Sequence, residues 1–294
     1  MCEELKELHL SFNIIIGIII EYIIYRLHKE GALKIGVNEA LQLFRQPLSN
    51  GSETAKLGFE EEKKVCENLK NPDIREALSP ILGNKYDQCF QLGGQAKTDI
   101  KSKNNILNAQ VKKCKNGRFQ QLDRHSIDHL IKNIPELIQI STILRDLIEY
   151  PLLANEKHID KSFPLKKLNL QNYTQKEINN FLAILNKNVE PILRYAFLGQ
   201  DIENQPDYVI AVEYDKNKKR DSIIAFRIND AIKYLKKFKF TVSSQKTCIY
   251  LGTEGIISIQ RKGGDCGKKS SNDIQIKIKP CELIEKIPHS KYKL

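Results

Sequence analysis

No two of the seven cysteines in this 294-residue chain form a C-x-x-C pair, and zinc-finger spacings are missing. Cys2, Cys66, Cys89, Cys114, Cys248, Cys266 and Cys281 are odd in number and thinly spread, which argues against a disulfide framework. Free thiols in a reducing cytoplasm are expected. An apolar run able to span a bilayer, about 20 residues, is also lacking. The candidate, Phe12 to Ile24, is too short and is interrupted by Asn13 and Glu21. Glu3, Glu4 and Glu7 ahead of it carry the wrong sign for a signal peptide. A buried helix, and no membrane partner, is the expectation. There is no internal repeat and no low-complexity tract. The glycine-rich stretch from Gly263 fails the P-loop template: Lys269 stands where Ser or Thr is required, and Lys262 where Gly is required. That excludes an NTPase of this kind.

What the chain has is positive charge. It carries 47 Lys+Arg against 36 Asp+Glu, a net charge of +11. Such a surface suits a polyanion, because each phosphate contact releases condensed counterions.

The organisation reads as one α/β core with helical additions. Residues 1–50 form a helical N-terminal segment packed on that core, with a turn at Ser49-Asn50-Gly51-Ser52. An amphipathic helix is expected from about Leu57 to Leu69, and strand–turn–strand over 89–113. A helical insertion occupies about 125–200, with a capping box at Thr174-Gln175-Lys176-Glu177. Strands follow at 208–212, 222–226 and 248–251, with a helix at about 229–238. A long hairpin, 256–279, completes residues 51–294 as the core.

The first hairpin carries the chemistry. With a turn centred on Lys103-Asn104, Lys101 faces Ile106 and Asp99 faces Asn108. Alternation then puts Asn108, Gln110 and Lys112 on one face with Asp99, and Leu107, Ala109 and Val111 on the other. A carboxylate, an amide oxygen and an ammonium on one face can hold a divalent cation and stabilise charge on a phosphodiester. Glu62 adds a second carboxylate. In Phe59-Glu60-Glu61-Glu62-Lys63-Lys64-Val65-Cys66 it is three after Phe59 and three before Val65, on the apolar stripe, whereas Glu60, Glu61 and Glu67 fall nearer the flanks. A carboxylate on a buried face is costly unless paired or metal-bound.

Together these residues resemble the PD-(D/E)xK nuclease superfamily, and within it the type II restriction endonucleases. The match is Gly58-x-x-x-Glu62 on a helix, Asp99 on the first strand, and Gln110-Val111-Lys112 on the second. Thr98 replaces the motif's Pro. Gln110 replaces its acid and removes one negative charge, as in cutters of short palindromes such as GCGC. The stretch Gln260-Arg261-Lys262-Gly263-Gly264-Asp265 resembles the same group. The resemblance implies a mixed-sheet restriction-endonuclease-like core flanked by helices. It implies Mg²⁺ held by Asp99, Gln110 and Glu62, catalysis assisted by Lys112, and double-stranded DNA as partner. A homodimer fits the two-fold symmetry of palindromes.

The second hairpin stands on its own physics as well. Ile274, Ile276 and Ile278 alternate with Gln275, Lys277 and Lys279, giving one packing face and one polar face. Arg and Lys pair with guanine edges and Gln or Asn with adenine. Gln260, Arg261, Lys262, Lys268, Lys269 and Asn272 are the expected DNA contacts, with Arg124 beside the first hairpin. His125 and His129, four apart on an expected helix, read as a surface or DNA-facing pair, because no third metal ligand stands at sensible spacing. Two other readings stay open: a repair or structure-specific nuclease on the same core, and a DNA-binding protein in which Gln110 marks a decayed site.

Overall fold

The computed structural model describes residues 50–92, 97–115, 117–148, 170, 173–214, 219–244, 246–261 and 273–294. Residues 1–49 of the expected helical N-terminal segment lie outside them, as do Lys262, Lys268, Lys269 and Asn272. The chain divides into two compact units, residues 1–59 and 60–294. Among the described residues no helix is long and apolar enough to cross a membrane.

Helix α1 spans Asn50–Asn68 and α2 spans Pro72–Leu82, the latter capped by the Asn71 side chain accepting from Asp73 N. The expected turn is therefore corrected over its described residues: Asn50, Gly51 and Ser52 are helical. Three short strands follow, β1 (Cys89–Gln91), β2 (Ile100–Ser102) and β3 (Asn108–Cys114), then β4 (Gln120–Ser126). The helical insertion holds α3 (Ile127–Asn133), α4 (Ser141–Ile148), α5 (Gln175–Lys187) and α6 (Val189–Leu198). The capping box forms as expected, with Thr174 and Glu177 each satisfying the other's backbone N–H. Then come β5 (Tyr208–Tyr214), β6 (Arg220–Arg227), α7 (Ile228–Leu235), β7 (Phe240–Val242), β8 (Ile249–Leu251), β9 (Ile257–Arg261), β10 (Asp273–Ile278), α8 (Pro280–Ile284) and β11 (His289–Lys293).

These strands make two sheets, ordered β1-β2-β3-β5-β6-β11 and β4-β10-β9-β8-β7. The β3–β5 pair is parallel, and the helical insertion is its crossover. The first sheet is buried on both faces. Ala109, Ile210, Val212, Ile223 and Ala225 pack with Val65 of α1, Leu69 just after it, and Ile74 and Leu78 of α2. Val209, Ala211, Ile224 and Phe226 join a larger core with α3–α7 and the second sheet. That second sheet contributes Ile257, Ile259, Ile274, Ile276 and Ile278, so the alternation read in the second hairpin is the packing observed. Each such isoleucine contributes about 2 kcal/mol relative to exposure.

Cys114 at the end of β3 and Cys281 in α8 are paired as a disulfide, which corrects the expectation of free thiols throughout. No spacing rule links positions 167 residues apart; the fold brings their Cα atoms to 5.4 Å. Cys66, Cys89 and Cys248 are free.

Candidate active site

The first hairpin forms, in a register two residues from the expected one. Lys101 pairs with Asn108, and Ile100 with Ala109. The loop is later in the chain than Lys103-Asn104: Ser102 N donates to Leu107 O at 2.8 Å, and Asn105 turns the chain with a φ of 59°. Asn and Asp tolerate that left-handed conformation better than other side chains. A shift of two preserves face, because strand side chains alternate with period two. Asp99, Gln110 and Lys112 therefore still share a face, opposite Ile100, Ala109 and Val111.

Asp99 lies against the backbone of β3. Its N–H donates to Ala109 O at 3.0 Å, and its Oδ2 accepts from Val111 N at 2.7 Å. The same oxygen is 3.7 Å from Lys112 Nζ. Thr98, fully buried, donates from Oγ1 to Asn204 O at 2.7 Å and anchors the chain just ahead of Asp99.

Gln110 is 1% exposed. Its Nε2 donates to Phe197 O, at the C-terminal end of α6, at 2.9 Å. That contact assigns the amide orientation, since only the NH₂ can meet a carbonyl. Gln110 Oε1 is buried with no hydrogen-bond partner. An orphaned buried oxygen of this kind costs about 1–3 kcal/mol.

Glu62 comes to this group from α1. Its Oε2 accepts from Gln91 Nε2 at 3.1 Å. Burial pushes the Glu62 carboxyl up, and the negative charge of Asp99 adds to that, while Gln91 and Lys112 oppose it. Burial and the Asp99 charge both oppose ionisation of Glu62, and a bound cation would relieve both; with the orphaned Gln110 oxygen on the Asp99 face, these oxygens are a donor set that suits a hard divalent cation. Among the described residues no group of three or more His, Cys, Asp or Glu could hold a metal ion. Glu61 departs from the expected flank position. It is 5% exposed, accepts from Tyr214 OH and is paired with Arg220 at 2.9 Å.

A cluster not anticipated from the sequence adjoins the site. Lys97 Nζ donates to Leu122 O at 2.8 Å and to Asp123 Oδ1 at 2.5 Å. Asp123 is 6% exposed and its Oδ2 is unpartnered. Burial pushes the Lys97 ammonium down, and Asp123 pulls the other way. His125 is on β4 rather than a helix, which corrects the reading of 125 and 129 as one helix face. The two rings nevertheless stack at 4.2 Å, beside Tyr195, because Ser126 ends the strand and caps α3. Burial, then Asp123, pushes the Tyr195 phenol up. The only trace of this cluster in the chain is Lys97's place two residues before Asp99.

On the second sheet, Gln275 pairs with Gln260 on one side and Arg124 on the other, so these three share the face away from the isoleucines. Arg124 is ion-paired with Asp273 at 3.0 Å. Arg261, aligned with Ile274, points to the opposite face from Gln260, and burial pushes its pKa down to about 10.

Residues 95–284 match the family model of the R.HinP1I restriction endonuclease, well over half of the chain. The chain belongs to the R.HinP1I restriction endonuclease family. It is thus a type II restriction endonuclease of the PD-(D/E)xK type, a site-specific DNA endonuclease, and the resemblance read from Glu62, Asp99, Gln110 and Lys112 is borne out at the level of family. Within this R.HinP1I-type enzyme the matched segment contains Asp99, Gln110, Lys112 and the second sheet, while Glu62 lies ahead of it. No curated protein matches in sequence. Among solved structures, restriction endonuclease MspI in complex with its cognate DNA is similar, with a TM-score of 0.45 and 13% identity, covering 81% of this chain and 96% of that one.

Proposed function

We propose that this endonuclease hydrolyses double-stranded DNA with Mg²⁺ as cofactor, held by Asp99, Gln110 and Glu62, with Lys112 at the scissile phosphate. The observation that carries the reading is Gln110 Oε1, buried without a partner on the face it shares with Asp99 and Lys112. A divalent cation, when bound, supplies charge neutralisation at the phosphate and a more acidic water.

The chain's own residues do the rest. Val111 N–H fixes the Asp99 carboxylate, and Phe197 O fixes the Gln110 amide, so both oxygens are set in place before substrate arrives. Lys112, held near Asp99, stabilises negative charge developing on the phosphoryl oxygens. Arg124 and Gln260, with Lys262, Lys268, Lys269, Asn272 and Arg261, hold and read the duplex in this proposal, and a homodimer in the cytoplasm matches a palindromic site.

The test is plasmid cleavage with Mg²⁺, run beside Asp99→Ala and Lys112→Ala. Discrete fragments that vanish in both variants are expected. Absence of cutting with every divalent metal tried would overturn the proposal.

A further inference from the structure

We propose that Lys97 is a positioning residue for cleavage: clamped to Leu122 O and Asp123 on β4, it fixes the chain entering β2 and so the place of Asp99. The inference rests on the reading of Asp99 as a metal ligand. Three observations carry it. The first is the clamp, an ammonium with two short contacts to one strand of the other sheet, both in a largely buried setting. The second is where the neighbouring residues are held: Thr98 bonds to Asn204 O, and Asp99 to Leu92 N, Ala109 O and Val111 N, so Lys97 is the residue that ties this stretch to the second sheet. The third is the packing of the Lys97 stem. Gly199, with a φ of 67°, lies so close that a Cβ there would come within 3.3 Å of Lys97 Cβ and Cγ. The stem is thus confined by the turn that follows α6, the helix whose Phe197 carbonyl holds Gln110. One short region therefore sets both Lys97 and Gln110.

The clamp also joins the site to the strand that carries Arg124. Asp123 and Arg124 are consecutive, so they lie on opposite faces of β4, one toward Lys97 and one beside Gln275.

A buried pair can also serve stability alone, and the experiment separates the two roles. Removing one partner leaves a buried charge, whereas removing both with apolar residues of similar size does not. Lys97→Met and Asp123→Asn are compared with Lys97→Met/Asp123→Leu in the full chain. Thermal melting, binding of a cleavable duplex without metal, Mn²⁺ affinity by calorimetry and single-turnover cleavage are measured. The double variant is expected to melt near the parent and to bind duplex within about threefold of it. Its cleavage rate is expected to fall about 100-fold, and its Mn²⁺ affinity about tenfold. Asp123→Asn, which keeps the shape, is expected to cut about tenfold more slowly with unchanged duplex affinity. Parental cleavage in either of these variants, or loss that follows duplex affinity alone, overturns the positioning role. Asp99→Ala is the control: if it cuts at the parental rate the metal-site reading fails, and if only the Lys97 and Asp123 variants do, the positioning role alone fails.

Discussion

Gln110 explains why this site has an amide where the wider superfamily motif has an acid. Its Nε2 meets the Phe197 carbonyl at 2.9 Å while its other end is buried. A carboxylate at 110 would set an oxygen without a proton against that carbonyl, and a third negative charge near Asp99 and Glu62. Gln110→Glu is therefore expected to lower cleavage by about 100-fold rather than to create a better metal site, a loss of the size seen when one preorganised electrostatic contact is removed. Single-turnover kinetics across a Mg²⁺ titration checks this; cleavage equal to the parent at saturating Mg²⁺ would show that the carbonyl does not dictate the amide. At this scale Asp99, Gln110 and Lys112 were readable from parity alone, because a register error of two leaves every side chain on its face. The Phe197 carbonyl and the Lys97–Asp123 contact were not. Both are tertiary contacts made by groups with no local pattern, one of them a main-chain atom.

At the scale of elements, α1 places two consecutive glutamates in different roles. Glu61 is buried against Tyr214 of β5 and Arg220 of β6, while Glu62 reaches Gln91. Residues one apart on a helix are turned by about 100°, so pinning Glu61 fixes the rotation that brings Glu62 to Gln91. Arg220→Met leaves Glu61 buried without its cation and is expected to destabilise by about 3 kcal/mol, whereas Glu61→Leu/Arg220→Met costs much less. Urea unfolding of both variants measures the difference, and equal losses would show that the pair is not coupled. Periodicity placed the helix but put Glu61 at its flank, since burial by a specific partner does not show in an apolar stripe. Strand β4 failed for a related reason. Gln120-Gln121-Leu122-Asp123-Arg124-His125-Ser126 has one apolar residue and no strand signal of its own, and pairing with β10 makes it a strand. The isoleucine alternation of β10 is strong and was readable without help.

At the scale of the molecule, the proposed function divides between the two sheets. Gln110 and Lys112 stand in the first, with Asp99 just ahead of β2, and the second carries Gln121, Arg124, Gln260, Gln275 and Lys277 on its polar face. A shared core of residues from both sheets fixes one against the other. Cleavage of a chosen phosphodiester depends on that rigidity, because a displacement of about 1 Å can cost about 100-fold in rate. The net charge of +11 acts differently: it is long-ranged, independent of DNA sequence and screened by salt. If about six phosphates are engaged, log affinity for duplex measured without metal should fall with log salt at a slope of about −5, a loss of about 10³ between about 50 and 200 mM. Non-cognate duplex should show a slope of similar size, since phosphate contacts carry no sequence information. Arg124→Ala should reduce the slope by about one on both duplexes if its guanidinium holds a phosphate. Fluorescence anisotropy across a salt series measures all three. A slope flatter than about −2 on both duplexes would mean that the excess of Lys and Arg lies away from the DNA, and that cognate affinity rests on the base contacts proposed for the second sheet.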